Sequence, residues 1–283
     1  MAENEGEVFK PSPGHLFPVL LSLVATGVLG IPLAANDVQV VSVTPFEGET
    51  YPGASLNALF FVVALATSAT MMFLFVRRGK MGFLRKLLKA ALFLVGFSVA
   101  FWYSDILLQI LGTPISDLAG LALLAAFSLM VGAGVGFFVF GGNKNLQLIG
   151  VVLLSGFTGL FLGASMPLLT ALVLAGALVV YDIVAVFRGP VGALAKTLEQ
   201  GDLPGAVFNY RELTIGMGDM VFYSLVATVA LLNFGVVSFL STGLGVLAGT
   251  YLGFKALQKF EMFPGLPFSL ILGVAGMLFS TLL

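Results

Sequence analysis

Two aspartates stand where the sequence supplies no cation beside them. Asp182 lies in LVVYDIVAVF, residues 178–187, where every neighbour except Tyr181 is aliphatic or aromatic. Asp219 lies in TIGMGDMVFY, residues 214–223, directly after Gly216, Met217 and Gly218. A charged side chain in hydrocarbon costs at least a few kcal/mol, so such a pair must share a proton or face a wet cavity. Two carboxyls held close together cannot both ionise, and one is then a base while the other is an acid. That division of labour can activate water. The ionised member takes a proton from the water, the water attacks a carbonyl, and the protonated member hydrogen-bonds or protonates the developing oxyanion.

Composition removes the competing hydrolytic chemistries. The chain has no cysteine and a single histidine, His15. A thiol nucleophile and disulfides are therefore excluded, a helical His pair for zinc cannot be built, and a Ser–His hydrolase would lack its base within the apolar runs. His15 reads as an interfacial residue. The formal net charge of −1 gives no electrostatic reason to expect nucleic acid as a partner. One class stays open beside hydrolysis. Paired acids inside apolar helices also mark proton relays and cation pathways, so a cation or proton channel or a transporter is the alternative, although the sequence has no inverted repeat.

The elements that carry the acids are membrane helices. Of 283 residues 59% are hydrophobic and 10% charged, and the mean hydropathy is +1.07, well outside the usage of soluble domains. The acidic start, MAENEGEVFKPSPGH, lacks the basic flank of a signal peptide and reads as a solvated tail. Apolar runs of spanning length predict nine helices, at about 16–36, 55–76, 88–111, 115–140, 145–163, 166–187, 214–233, 237–254 and 264–283. With the N-terminus cytoplasmic, all 13 Lys and Arg residues fall on one side, while Asp37, Glu47 and Glu49 occupy the first outer loop. The expectation is an all-α polytopic protein with its C-terminus outside. It divides into a six-helix part over 1–187, a cytoplasmic connection over 188–213 and a three-helix part over 214–283, all in one integrated membrane domain. Asp182 lies six residues before Arg188 and Asp219 eight after Arg211, so both are about 10 Å from the cytoplasmic end of antiparallel helices.

Asp105 follows Trp102 and Tyr103 at a helix end, and Asp117 sits where the next helix needs a cap, so both are expected to be structural. The small-residue series Ser155, Gly159, Gly163 and Gly245, Gly249, Gly253 read as helix-packing faces. Gly216 and Gly218 weaken a helix, a cost explained if a substrate backbone approaches the acid. Met217, between them, is expected to line the groove beside the scissile bond and to influence which bond is cut. In FPGLP, residues 263–267, Pro264, Gly265 and Pro267 break regular helix at the start of the last span, and irregular backbone at that depth must face protein or a wet cavity.

Together these motifs resemble the presenilin and signal peptide peptidase family of intramembrane aspartyl proteases. Tyr181-Asp182 is similar to the YD motif, Gly216-Met217-Gly218-Asp219 to GxGD, and Pro264-Gly265-Leu266 to PAL, in the right order and on the sixth, seventh and ninth predicted helices. Ile183 to Val186, Phe222-Tyr223-Ser224 and Pro267 look more like the presenilin branch. The short 188–213 connection looks like a compact archaeal homologue. The resemblance implies that Asp182 and Asp219 are the catalytic pair and that 264–266 shape the site and hold substrate. It implies that substrates are transmembrane helices that must unwind, that no cofactor or metal is needed, and that accessory subunits are dispensable while oligomers are possible. It also implies a location in a prokaryotic, archaeal cell membrane. Met217 stands where leucine is usual, and Gly265 replaces the alanine of PAL, which would add flexibility there.

Overall fold

The computed structural model describes residues 10–38, 40–115, 117–189, 207–211, 213–260 and 262–282. A short 3-10 turn, Pro13–Leu16, leads into α1 (Phe17–Ala35), followed by α2 (Tyr51–Arg77), α3 (Met81–Ile110), α4 (Leu118–Phe140), α5 (Lys144–Ala164) and α6 (Leu168–Phe187). After a stretch that includes 190–206, outside the described residues, strands β1 (Val207–Tyr210) and β2 (Leu213–Gly216) precede α7 (Met217–Ala256) and α8 (Leu266–Ser280). Among the described residues seven helices are long and apolar enough to cross a membrane. The protein is a polytopic membrane protein. The predicted spans at 214–233 and 237–254 fall on the two halves of α7, which is broken at Gly235, where φ is 83°. Only glycine takes that conformation without strain.

The architecture is all-helical as expected apart from one short hairpin, which corrects the start of the seventh span. Residues 207–216 are an antiparallel pair with Phe208 opposite Ile215 and Tyr210 opposite Leu213. Alternation explains it. Phe208, Leu213 and Ile215 are buried at 1%, 6% and 6% exposure while Asn209 and Thr214 face outward, the period-2 pattern of a strand. Arg211, in the turn, has φ 55°. Gly216 therefore ends a strand and caps α7 rather than weakening a helix interior. The helix α3 also starts earlier than predicted, at Met81, because long basic side chains keep their charge at the boundary while their stems lie on apolar surface. Lys89 places its ammonium 5.2 Å from the centre of the Phe140 ring.

The first half of α7 is the central helix. Every residue from Tyr223 to Leu231 is buried, as expected of a helix apolar all round. Small residues let its neighbours approach. A Cβ at Gly159 would meet the side chain of Ser224, and one at Gly163 would lie 2.7 Å from the Leu225 carbonyl, so α5 lies directly against α7. Ser22 of α1 ties the three helices together through Ser155, at 3.2 Å, and Ser224, at 3.1 Å. The second half of α7 packs on α8, where a Cβ at Gly245 or Gly249 would run into the carbonyls of Leu272 and Phe268. Asp117 accepts from the Gly120 amide at 3.2 Å as the cap of α4, and Asp105 accepts from Gln109 at 2.7 Å. Both are structural, as expected.

Candidate active site

Three chain segments converge at the head of α8. Asp182, on the last turns of α6, accepts the Leu266 amide hydrogen through Oδ2 at 2.9 Å. Leu266 is the first residue of α8 and Pro267 follows it. The first amides of a helix have no partner within it, and Pro267 has no hydrogen to give. Asp182 thus caps a helix from another helix, at the end where the helix dipole favours negative charge. Asp219, in the first turn of α7, comes to the same place from the other side. A Cβ on Gly265 would lie 2.8 Å from its Oδ2, and one on Gly216 would lie 3.2 Å from it. Both carboxyls thus border the Gly265–Leu266 peptide unit.

The space beside them is small and mixed in character. A cavity of about 90 Å³ is lined by Asp219, Tyr223, Thr250, Pro264 and Gly265, with Val19 of α1 and Leu213 to Ile215 of β2 among its other walls. It combines one carboxyl, three hydroxyl-bearing residues (Thr214, Tyr223 and Thr250) and the irregular backbone before α8, which is enough to hold and orient water.

The remaining predicted site residues divide. Pro264 and Leu266 are buried, Pro264 in the cavity wall, whereas Tyr181 is half-buried on α6 beside Asp182. Gly218 is exposed, and a Cβ there would meet nothing within 4 Å. Met217 is 6% exposed and belongs to the apolar core. Gly265 has an ordinary helical φ of −79°. A Cβ here would lie 2.8 Å from the Asp219 Oδ2, so the glycine lets that carboxyl come closer to this backbone than an alanine would.

Sequence reasoning missed the support around these groups. Tyr223 donates to the Gly265 carbonyl at 3.0 Å, Ser269 donates to the same oxygen at 3.0 Å, and Thr250 and Ser269 are 3.0 Å apart. Tyr223 stands one turn beyond Asp219, a spacing that puts both on one helix face. Ser269 and Thr250 give no signal beyond being hydroxyls in apolar runs. The N-terminal segment is the other omission. Phe17 stacks on Tyr210 with ring centres 6.4 Å apart, and a Cβ at Gly14 would fall 2.5 Å from the Arg211 guanidinium. His15 is buried and takes the Ser12 amide hydrogen on Nδ1 at 3.0 Å.

A presenilin family intramembrane aspartate protease solved in space group C222 aligns with a TM-score of 0.66 and 22% identity, over 95% of this chain and 98% of that one. The structure of such a protease in space group P2 gives the same score and identity over 97% and 98%. The chain has the presenilin-family protease fold. No protein-family model matches the sequence, and no curated protein matches it. At this identity the presenilin-type likeness is one of architecture, and the chemistry must be argued from this chain's own residues.

Proposed function

We propose that the chain is an intramembrane aspartic endopeptidase that hydrolyses peptide bonds within transmembrane helices of other membrane proteins. Asp182 and Asp219 are the catalytic pair, and Tyr181, Gly216, Met217, Gly218, Pro264, Gly265 and Leu266 shape the site around them. The observation that carries this is the convergence of both carboxyls on one peptide unit, Gly265–Leu266, beside a small cavity. One carboxyl takes the proton of a water held between them. The oxygen attacks the scissile carbonyl and the other carboxyl protonates the oxyanion; on collapse of the tetrahedral adduct the first carboxyl passes the water-derived proton to the departing amine, while the second takes a proton back from the gem-diol hydroxyl, which restores the pair.

A helical substrate hides its carbonyls in hydrogen bonds, so it must unwind first. The hairpin supports that step. β2 pairs with β1 along one edge and runs into the turn before Asp219, so its other edge offers backbone groups to which an extended segment can add as a strand. We read the two halves of α7 and the short α8 as separate crossings. That gives nine spans, with the N-terminus cytoplasmic and the C-terminus outside, in a prokaryotic cell membrane of archaeal type. The α6 and α7 sides of the 188–213 connection contribute one acid each to one integrated domain. Accessory subunits are not required on this reading.

The test is purified protein with a defined transmembrane substrate, its products identified by mass spectrometry. The wild type should cut within the membrane segment, and Asp182→Asn and Asp219→Asn should each abolish cutting without loss of folded protein. Ion flux in liposomes without any cleavage would replace this reading with a channel or transporter.

A further inference from the structure

We propose that Tyr223, Ser269 and Thr250 are positioning residues that aim the Leu266 amide at Asp182 by gripping the other end of the same peptide unit. The inference rests on the protease reading for its consequence, though its geometry stands apart from it.

The carbonyl of Gly265 and the amide hydrogen of Leu266 belong to one planar, trans peptide group, so they point in opposite directions and move together. The carbonyl oxygen takes the Tyr223 hydroxyl at 3.0 Å and the Ser269 hydroxyl at 3.0 Å, one for each lone pair. The amide hydrogen on the far side goes to Asp182 at 2.9 Å. Thr250 donates its own hydroxyl hydrogen to the Val246 carbonyl at 2.8 Å, and its oxygen lies 3.0 Å from that of Ser269, which it packs in place. All three side chains are at most 5% exposed.

The grip does two things to Asp182. It fixes the plane of a peptide that would otherwise be free to tilt, because Pro264 and Pro267 flank it and neither has an amide hydrogen to anchor it. It also polarises the amide, since a carbonyl receiving hydrogen bonds makes its own N–H a better donor. The Asp182 carboxyl is thereby held in one orientation toward Asp219. Tyr223 connects this device to the second acid directly, because it lies one helical turn from Asp219 on α7 while Ser269 and Gly265 lie on the α8 side. The separation of the two carboxyls is thus set by hydroxyls that need never touch substrate.

The hydroxyls share one acceptor, so the variants should interact. Tyr223→Phe and Ser269→Ala each leave one donor on the carbonyl and should lower kcat about threefold to tenfold with KM unchanged. The double variant leaves none and should lose more than the product of the two. It should also shift one limb of the pH–rate profile relative to the other, which loss of packing alone would not do. Ser269→Thr keeps a hydroxyl and should restore most of the rate. Ser155→Ala removes a buried hydroxyl of the Ser22–Ser155–Ser224 group, which bonds neither end of the Gly265–Leu266 peptide, and serves as the structural control, with the pH profile unmoved. Amide hydrogen exchange over 262–270 reads the same tether without activity, and should be faster in the double variant than in the wild type or Ser155→Ala.

If the wild type cleaves but the double variant keeps its kcat and pH limbs, or merely matches Ser155→Ala, the proposal is overturned. If the wild type does not cleave, the protease reading fails and exchange alone decides. Faster exchange in the double variant then upholds the grip, and equal exchange overturns it.

Discussion

At the scale of single residues, the site is built by omission as much as by presence. Gly265 lacks the atom that would press on Asp219, so Gly265→Ala forces the one group whose position matters most to move. A misplacement of a reacting group by about 1 Å can cost about a hundredfold in rate. We expect kcat to fall about tenfold or more while the melting temperature changes little, measured on the same preparation. Gly218 is the contrast, because a Cβ there meets nothing. Gly218→Ala should keep or slightly raise stability, and a rise in KM would place substrate backbone against it. The dyad also fixes the form of the pH dependence. With both carboxyls neutral there is no base, and with both ionised there is no acid, so kcat/KM should rise and then fall with pH. A profile that is flat across the range in which carboxyls titrate would remove the dyad from the mechanism.

At the scale of elements, α8 is held where backbones nearly touch. A Cβ at Gly249 would collide with the Phe268 carbonyl, one residue before the Ser269 that grips the site, so Gly249→Val should destabilise the protein by about 3 kcal/mol or more and abolish cleavage. Gly134 faces open space in α4, and Gly134→Ala should stabilise by up to about 1 kcal/mol. Thermal unfolding in detergent separates the two. These helices were legible because hydropathy and charge report membrane spans directly: the break at GASMP separates α5 from α6, and Asn233-Phe234-Gly235 marks the interruption of α7. The acids were legible because nothing else in an apolar run explains them. The hairpin was not. Four-residue strands beside a long apolar helix are outweighed in any window wide enough to detect a span, although Val207-Phe208-Asn209-Tyr210 carries the aromatic and β-branched residues of a strand. The hydroxyl grip escaped for a different reason, since Tyr223, Thr250 and Ser269 meet only through the packing of α7 on α8.

At the scale of the whole molecule, orientation follows from charge. Single cysteines placed by Glu49→Cys and Lys80→Cys in this cysteine-free chain should respond differently to a membrane-impermeant thiol reagent on intact cells. Labelling is expected at 49 and not at 80, and the reverse pattern would turn the protein over. In the expected orientation the acids lie near the cytoplasmic face, so substrates with an external N-terminus should be preferred and a C-terminal fragment released inside. The cavity beside Asp219 then limits the reaction in a way that geometry alone does not express. At about 90 Å³ it has room for only a handful of waters, and each turnover consumes one of them. On the protease reading, water is the second substrate and has to reach the acids through this small space. The rate of hydrolysis should therefore follow the chemical activity of water, falling as an osmolyte too large to enter the cavity is added, at a concentration that leaves substrate binding and folding untouched.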